Sequence, residues 1–251
     1  MEFNYYYFNF IINLTNTIRN FYCTSQTYQR MRIKKMKYIF FDFDGTIADT
    51  KVGTIKALQY MAQKLNITDL GADTYQKFIG PAITESFGKY YPKLPKERYS
   101  EAIAAYDEYY KNESLYQLTL YPQIEDVLSA LKDDGYRLYI SSAKTESLIK
   151  KLIAYLKLNQ YFTGLYGASE DEVTRSSKAD ILKYALENAN ANADESVIIG
   201  DRSTDIQGGI ANNVHTLGIT YGFGDYAELR DAGAESILED PTEIPSEIRA
   251  M

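Results

Sequence analysis

The segment Tyr38–Thr50 reads YIFFDFDGTIADT and places two carboxylates, Asp42 and Asp44, at the end of an apolar run. Side chains alternate faces along an extended strand, so these two are expected to point the same way among apolar neighbours. At ~6–7 Å separation and an effective dielectric near 20, their repulsion is on the order of 2 kcal/mol, and desolvation adds to it. Such a pair requires a cation. Two more apolar runs also end in polar groups: "YRLYIS" in Ser141-Ser142, and "SVIIG" in Asp201, with Asp205 four residues on. Ligands of open parallel sheets bind beyond the carboxyl ends of the strands, so all these groups are expected on one rim. Three or four carboxylates there form a hard, oxygen-rich site of the kind that suits magnesium, completed by water and a substrate phosphate. The expected metal-site residues are Asp42, Asp44, Asp201 and Asp205, with Mg2+ neutralising the first two.

Lys178 belongs to the same reading. In "RSSKADIL", Ser177 has the position of an N-cap and Asp180 the third helical position, which puts Lys178 in the first turn. The helix dipole disfavours a cation there, so a phosphate or a nearby carboxylate should hold it, with Ser142 donating a hydroxyl hydrogen bond to the same phosphate.

The elements that must position these residues follow a strand-then-helix order after Met36. Five short apolar runs, "KYIFFDF", "YRLYIS", "GLYGAS", "SVIIG" and "VHTLGIT", alternate with helical text. That order predicts an α/β fold, a Rossmann-like parallel sheet with helices on both faces. One crossover is too long: such a connection needs about 30 residues, yet roughly 90 separate Phe43 from Tyr136. No convincing strand stands out among them. "KVGTIKALQYMAQKL" sets Val52, Ile55, Leu58, Met61 and Leu65 near helical spacing, and "KERYSEAIAAYDEYY" puts Tyr99, Ile103, Tyr106 and Tyr110 on one face. Between them Gly80-Pro81 makes a turn with the proline starting the next helix. The expected organisation is an N-terminal extension over 1–35, an α/β core over 36–49 and 121–251, and an inserted all-helical cap over 50–120 that hinges near 49–52 and 120–123.

Composition narrows the function classes. The chain has 251 residues, 45% of them hydrophobic, enough for a sizeable core. One cysteine, Cys23, and one histidine, His215, leave no Cys/His zinc site, so acid–base work falls to carboxylates. The net charge is −7, and the first 37 residues hold six basic groups against Glu2, so the remainder carries −12. Such a surface repels nucleic acid. "FNFIINL" near the start is short and broken by asparagine, so no membrane span is expected, and no cleavable export signal is recognisable. The expected location is cytoplasmic, with Met36 as a functional start.

With these residues in view, the chain resembles the haloacid dehalogenase superfamily of phosphatases. "DFDGT", "ISSAK", "SSKADIL" and "GDRSTD" stand in the order and at the kind of spacing of that superfamily's four motifs. The long helical insert resembles its cap of the first type, and the segments around "YPQIEDVLSALKDDGYRLYISSAK" look like the phosphoglycolate phosphatase branch. The resemblance implies a Mg2+-dependent phosphatase of a small phosphorylated metabolite, with 2-phosphoglycolate the first expectation. In that scheme Asp42 attacks phosphorus and Asp44 serves as acid, then base. It further implies Mg2+ on the Asp42 carboxylate, the Asp44 carbonyl and Asp201, with Asp205 close by through water or Lys178. Thr46, Ser142, Ala143 and Lys178 are the expected phosphate-binding residues. Asp44 argues against dehalogenation, because the superfamily's dehalogenases lack it. Two positions depart from the branch: Ser142-Ala143-Lys144 replaces Thr-Asn-Lys, and Gln123 replaces a common glycine.

Other readings compete. A nucleotidase or pyrophosphatase, or a phosphomutase like β-phosphoglucomutase, would share the cap and the aspartyl-phosphate. A phospho-receiver domain would need only about 120 residues and no long insert. The oligomeric state, monomer or homodimer, is left open. "GFGDYA" mimics a dinucleotide fingerprint, but too little chain follows for the βαβ unit. His215, at the start of its strand, is expected away from the rim.

Overall fold

The computed structural model describes residues 36–171 and 173–251, so the expected extension over 1–35 lies outside the described residues. In chain order the elements are β1 Tyr38–Phe41, β2 Ala48–Asp49, α1 Lys51–Lys64, α2 Ala72–Gln76, α3 Ile83–Tyr90, α4 Tyr99–Tyr109 and β3 Thr119–Leu120. They continue with α5 Ile124–Asp133, β4 Arg137–Thr145, α6 Glu146–Tyr155, β5 Phe162–Ala168, α7 Lys178–Ala189 and β6 Ser196–Gly200. The chain closes with α8 Ser203–Ala211, β7 His215–Ile219, α9 Tyr226–Ala232, β8 Ser236–Leu238 and α10 Ile244–Ala250.

Six of the eight described strands form a parallel sheet in the order β5-β4-β1-β6-β7-β8. Alternation along each strand sorts the core into two layers. Ile39, Phe41, Leu138, Ile140, Val197 and Ile199 pack with residues of α5, α6 and α10. Phe40, Tyr139 and Ile198 pack with Leu182 and Ala185 of α7 on the opposite face. Both faces are therefore covered, as continuous apolar strands require. β1 is central, and the chain order reverses direction beside it, which makes its carboxyl end the switch point where ligands bind.

The sheet holds one strand more than the five apolar runs foretell. β8 is three residues of half-buried edge, too short to show a period. The long connection also contains a strand: β3 pairs antiparallel with β2, Ala48 facing Leu120 and Asp49 facing Thr119. This two-residue ribbon ties together the two chain crossings into the insert. β4 runs on to Thr145, past the expected end at Ser142, with an irregular register against β5 between Ser142 and Thr145.

The insert has its own apolar cluster, in which Leu58, Met61, Tyr75, Phe78, Phe87 and Tyr91 are buried. Edge-to-face rings hold it, Phe78 meeting Phe87 at 6.2 Å and Phe87 meeting Tyr99 at 5.3 Å. Three details differ from the helical reading. Val52 is 51% exposed, because α1 buries Gly53, Thr54, Ala57, Leu58, Met61 and Ala62. On α4 the small residues Ala102 and Ala105 are the ones buried, since close approach to α1 leaves the rings at the margins of that contact. Pro81 precedes the N-cap Ala82, and α3 starts at Ile83.

Candidate active site

β1 ends at Phe41, paired with Ile140 on one side and Ile199 on the other. The Asp42 amide donates to the Ile199 carbonyl at 2.9 Å, so the chain leaving β1 emerges between the ends of β4 and β6. That register is what brings Asp42 beside Ser142 and Asp201. Asp42, Asp201 and Asp205 each present a carboxylate oxygen within 4.8 Å of the others, all three side chains being buried. Gly45 makes this approach possible: with φ +84° it turns the chain back, and a Cβ there would stand 2.1 Å from Asp201 Oδ2. Gly222, from the "GFGDYA" stretch, is packed as tightly, since its Cβ would meet the Gly45 carbonyl at 2.3 Å. The Phe223 amide beside it donates to Asp201 Oδ2 at 2.7 Å. Those glycines thus serve the acidic site.

Lys178 Nζ is 2.6 Å from Asp42 Oδ2 and 2.6 Å from Asp205 Oδ1. Ser177 caps α7 by accepting from the Asp180 amide, as the sequence indicates, so a cation does occupy the first turn, and carboxylates hold it there. Burial alone would push its ammonium down, but Asp205 and Asp42 hold it above the ordinary lysine value. Asp205 caps the start of α8 from its third position, its Oδ2 accepting from the Arg202 amide at 3.1 Å.

The Asp42–Asp44 pair is arranged differently from the same-face strand expected. Both residues lie beyond β1, and each has its own lysine. Lys144 Nζ lies 3.3 Å from Asp44 Oδ2, and the Thr50 hydroxyl donates to Asp44 Oδ1 at 2.6 Å. Lys144 also donates to Tyr110 Oη at 3.0 Å and lies 4.7 Å from the centre of that ring. Tyr110 reaches it from a π-type turn that ends α4. Burial lowers the Lys144 ammonium, yet Asp44 and the two tyrosines Tyr110 and Tyr106 hold it well above the usual lysine range. The sequence reading passed over Lys144 as a partner of Asp44. Its signal was present, because residues 142 and 144 share a face in an extended strand.

Two lysines do not satisfy all the acids. Burial pushes Asp42 up to about 7, against the pull of Lys178 and helped by Asp205 and Asp44. Asp201 is likewise raised well above the carboxylate range by burial and by the neighbouring Asp205 and Asp42. Asp42 Oδ1 and Asp201 Oδ1 are buried and accept no hydrogen bond among the described residues. Two orphaned hard oxygens side by side fit a divalent cation such as Mg2+. The Asp44 side chain is turned toward Lys144 and stays outside this cluster.

A cavity of about 90 Å³ opens beside the cluster. Asp42, Asp44, Ser142, Ala143 and Lys144 line it from the rim, and Leu58, Phe78, Ile79, Tyr106, Asp107 and Tyr110 face them from the insert. Thr46 is buried but does not line it; its carbonyl accepts from Tyr221 Oη at 3.1 Å. Arg202 spans rim and insert, donating to the Ile79 carbonyl and to Glu228 Oε1. His215 sits at the opposite end of the sheet, Nδ1 2.7 Å from Glu235 Oε2.

Comparison with known proteins adds to this geometry. Residues 39–219 match the family model described as haloacid dehalogenase-like hydrolase. The chain is 30% identical over 202 residues to a 5'-nucleotidase of Pseudomonas aeruginosa, covering 80% of this chain and 90% of that protein. It is 28% identical over 209 residues to a phosphoglycolate phosphatase of Aquifex aeolicus, covering 83% of this chain and 95% of that one. Among solved structures, a predicted phosphatase from Clostridium acetobutylicum superposes with a TM-score of 0.83 at 35% identity, over 86% of this chain and all of that one.

Proposed function

The chain belongs to the haloacid dehalogenase-like hydrolases, as a phosphatase of phosphomonoesters, and we propose that it works through a phosphoryl group carried transiently on Asp42. The observation that carries this reading is the Asp42 carboxylate, seated at the switch point with Lys178 at 2.6 Å and one oxygen unpartnered.

In the proposed reaction Asp42 attacks phosphorus as the bond to the ester oxygen breaks, and Asp44 gives its proton to the departing alcohol. Asp44 then takes a proton from water, whose oxygen attacks phosphorus and returns Asp42 to a free carboxylate with inorganic phosphate released. Lys178 keeps Asp42 aimed and offers charge to the phosphate oxygens, while Ser142, Ala143 and Lys144 border the place where they lie. Thr46 supports the turn between Asp44 and β2 from behind. Asp42, Asp201 and Asp205 would hold Mg2+, which supplies a positive charge to polarise the phosphate and to keep Asp42 ionised at neutral pH. The insert over 50–120 acts as a cap on the core of 36–49 and 121–251, excluding water when a substrate is seated.

Relatives named for 2-phosphoglycolate and for 5'-nucleotides place both ester types in a first panel. Magnesium-dependent phosphate release from at least one small ester, falling at least about 1,000-fold in Asp42→Asn, is the expected result. Equal release by native protein and Asp42→Asn would exclude the reading.

A further inference from the structure

The cavity has two unlike walls. The rim supplies Asp42, Asp44 and Ser142, together with Lys144, the one cation lining it among the described residues. Lys144 is already engaged by Asp44 and Tyr110. The insert supplies an apolar and aromatic wall whose only charged member among the described residues is Asp107 of α4. Asp107 Oδ2 pairs with Lys111 Nζ at 2.7 Å on the outside of the helix, whereas Oδ1 is buried and accepts nothing among the described residues.

With the phosphoryl group on the rim, the rest of a substrate must lie against this second wall. It meets an acid that lacks a donor and no uncommitted cation. A carboxylate there would face Asp107 in a partly desolvated space, where like charges repel strongly. An alcohol would instead give Asp107 the donor it lacks.

Resting on the phosphatase reading above, we propose that this site takes phosphomonoesters whose leaving group is uncharged and carries a hydroxyl, and that Asp107 turns away carboxylate-bearing esters, 2-phosphoglycolate included. Asp107 is thus a specificity-determining residue.

Two nearly isosteric esters test this: 2-hydroxyethyl phosphate and 2-phosphoglycolate, which differ by CH2OH against carboxylate, with p-nitrophenyl phosphate as a general reporter. In magnesium the native protein is expected to show kcat/KM at least about 30-fold higher for hydroxyethyl phosphate, the size of a like-charge repulsion at such range. Asp107→Asn is expected to shrink that ratio by about 10-fold, chiefly through KM for 2-phosphoglycolate. Lys111→Met, which removes the outer counter-charge, is expected to widen it. Equal or faster turnover of 2-phosphoglycolate by the native protein, or a ratio that neither substitution moves, overturns the proposal. If neither these three esters nor a 5'-nucleotide is hydrolysed, the phosphatase reading itself is overturned, and this inference with it.

Discussion

The sheet rim and the helical insert are built on opposite terms. On the rim, Asp42, Asp44, Asp201, Asp205 and Lys178 are buried together with Lys144 half-buried beside them, and Asp42 Oδ1 and Asp201 Oδ1 are left without partners among the described residues. The insert uses interlocked rings and small residues, and closes hydroxyls locally where Tyr75 and Tyr91 share a 2.8 Å contact and Tyr91 donates to the Thr68 carbonyl, while Asp107 Oδ1 and Ser86 Oγ are buried there without a partner among the described residues. The rim gives up stability to concentrate charge where a phosphoryl group can be held, while the insert keeps stability and supplies shape. On the proposed reading, reaction type resides in the first region and selectivity in the second.

The largest effect should separate the two regions. Lys178→Met leaves Asp42 and Asp205 buried without their shared cation and is expected to cost about 3–5 kcal/mol at pH 8. Phe87→Ala in the insert is expected to cost a similar ~3–5 kcal/mol through lost packing, but the same at pH 6 as at pH 8. Denaturant midpoints at the two pH values distinguish them: the Lys178 variant should recover in part at pH 6, where Asp42 can protonate. Loss of that pH difference would break the contrast.

A second effect concerns Asp42 alone. Its carboxyl is raised from 3.8 to about 7, so its favourable contribution in metal-free protein is complete below pH 3.8 and lost as pH rises through 7. In chelator, the native protein should therefore lose stability relative to Asp42→Asn between pH 5 and pH 8, by melting temperature. Magnesium should remove most of the difference at pH 8.

The smallest effect lies at the crossing between the regions. Gln123, ahead of α5, has φ +64°, a left-handed conformation that costs a side-chain-bearing residue about 1–2 kcal/mol. Gln123→Gly should raise stability by about 1 kcal/mol without changing selectivity between esters, because this residue touches neither wall of the cavity. A fall in melting temperature would show that the glutamine side chain contributes more than its backbone costs.

The same contrast governs what could be read in the sequence. Asp42, Asp201 and Asp205 were legible because each ends or follows a continuous apolar run, and parallel strands deliver such residues to one edge. Lys178 was legible because a cation in the first turn of a helix is misplaced unless something anionic faces it. Lys144 escaped because the end of β4 reads as a loop once Ser142 is passed, though the strand continues. β8 and the β2–β3 ribbon are too short to carry a period. In the insert, nothing in "YDEYYKNE" separates Asp107, which meets the cavity, from Glu108, which meets Tyr60 and Lys64 on the surface. Only the packing of α4 against the rim distinguishes them.

The central claim is most directly tested by trapping the enzyme during turnover. Native protein mixed with magnesium and an ester it hydrolyses, quenched in acid within the first turnover, should carry one phosphoryl group by intact mass, mapped by peptide analysis to Asp42. The same trace from Asp42→Asn should be empty. Phosphate released steadily with no protein-bound phosphoryl at any time, and undiminished in Asp42→Asn, would contradict the account.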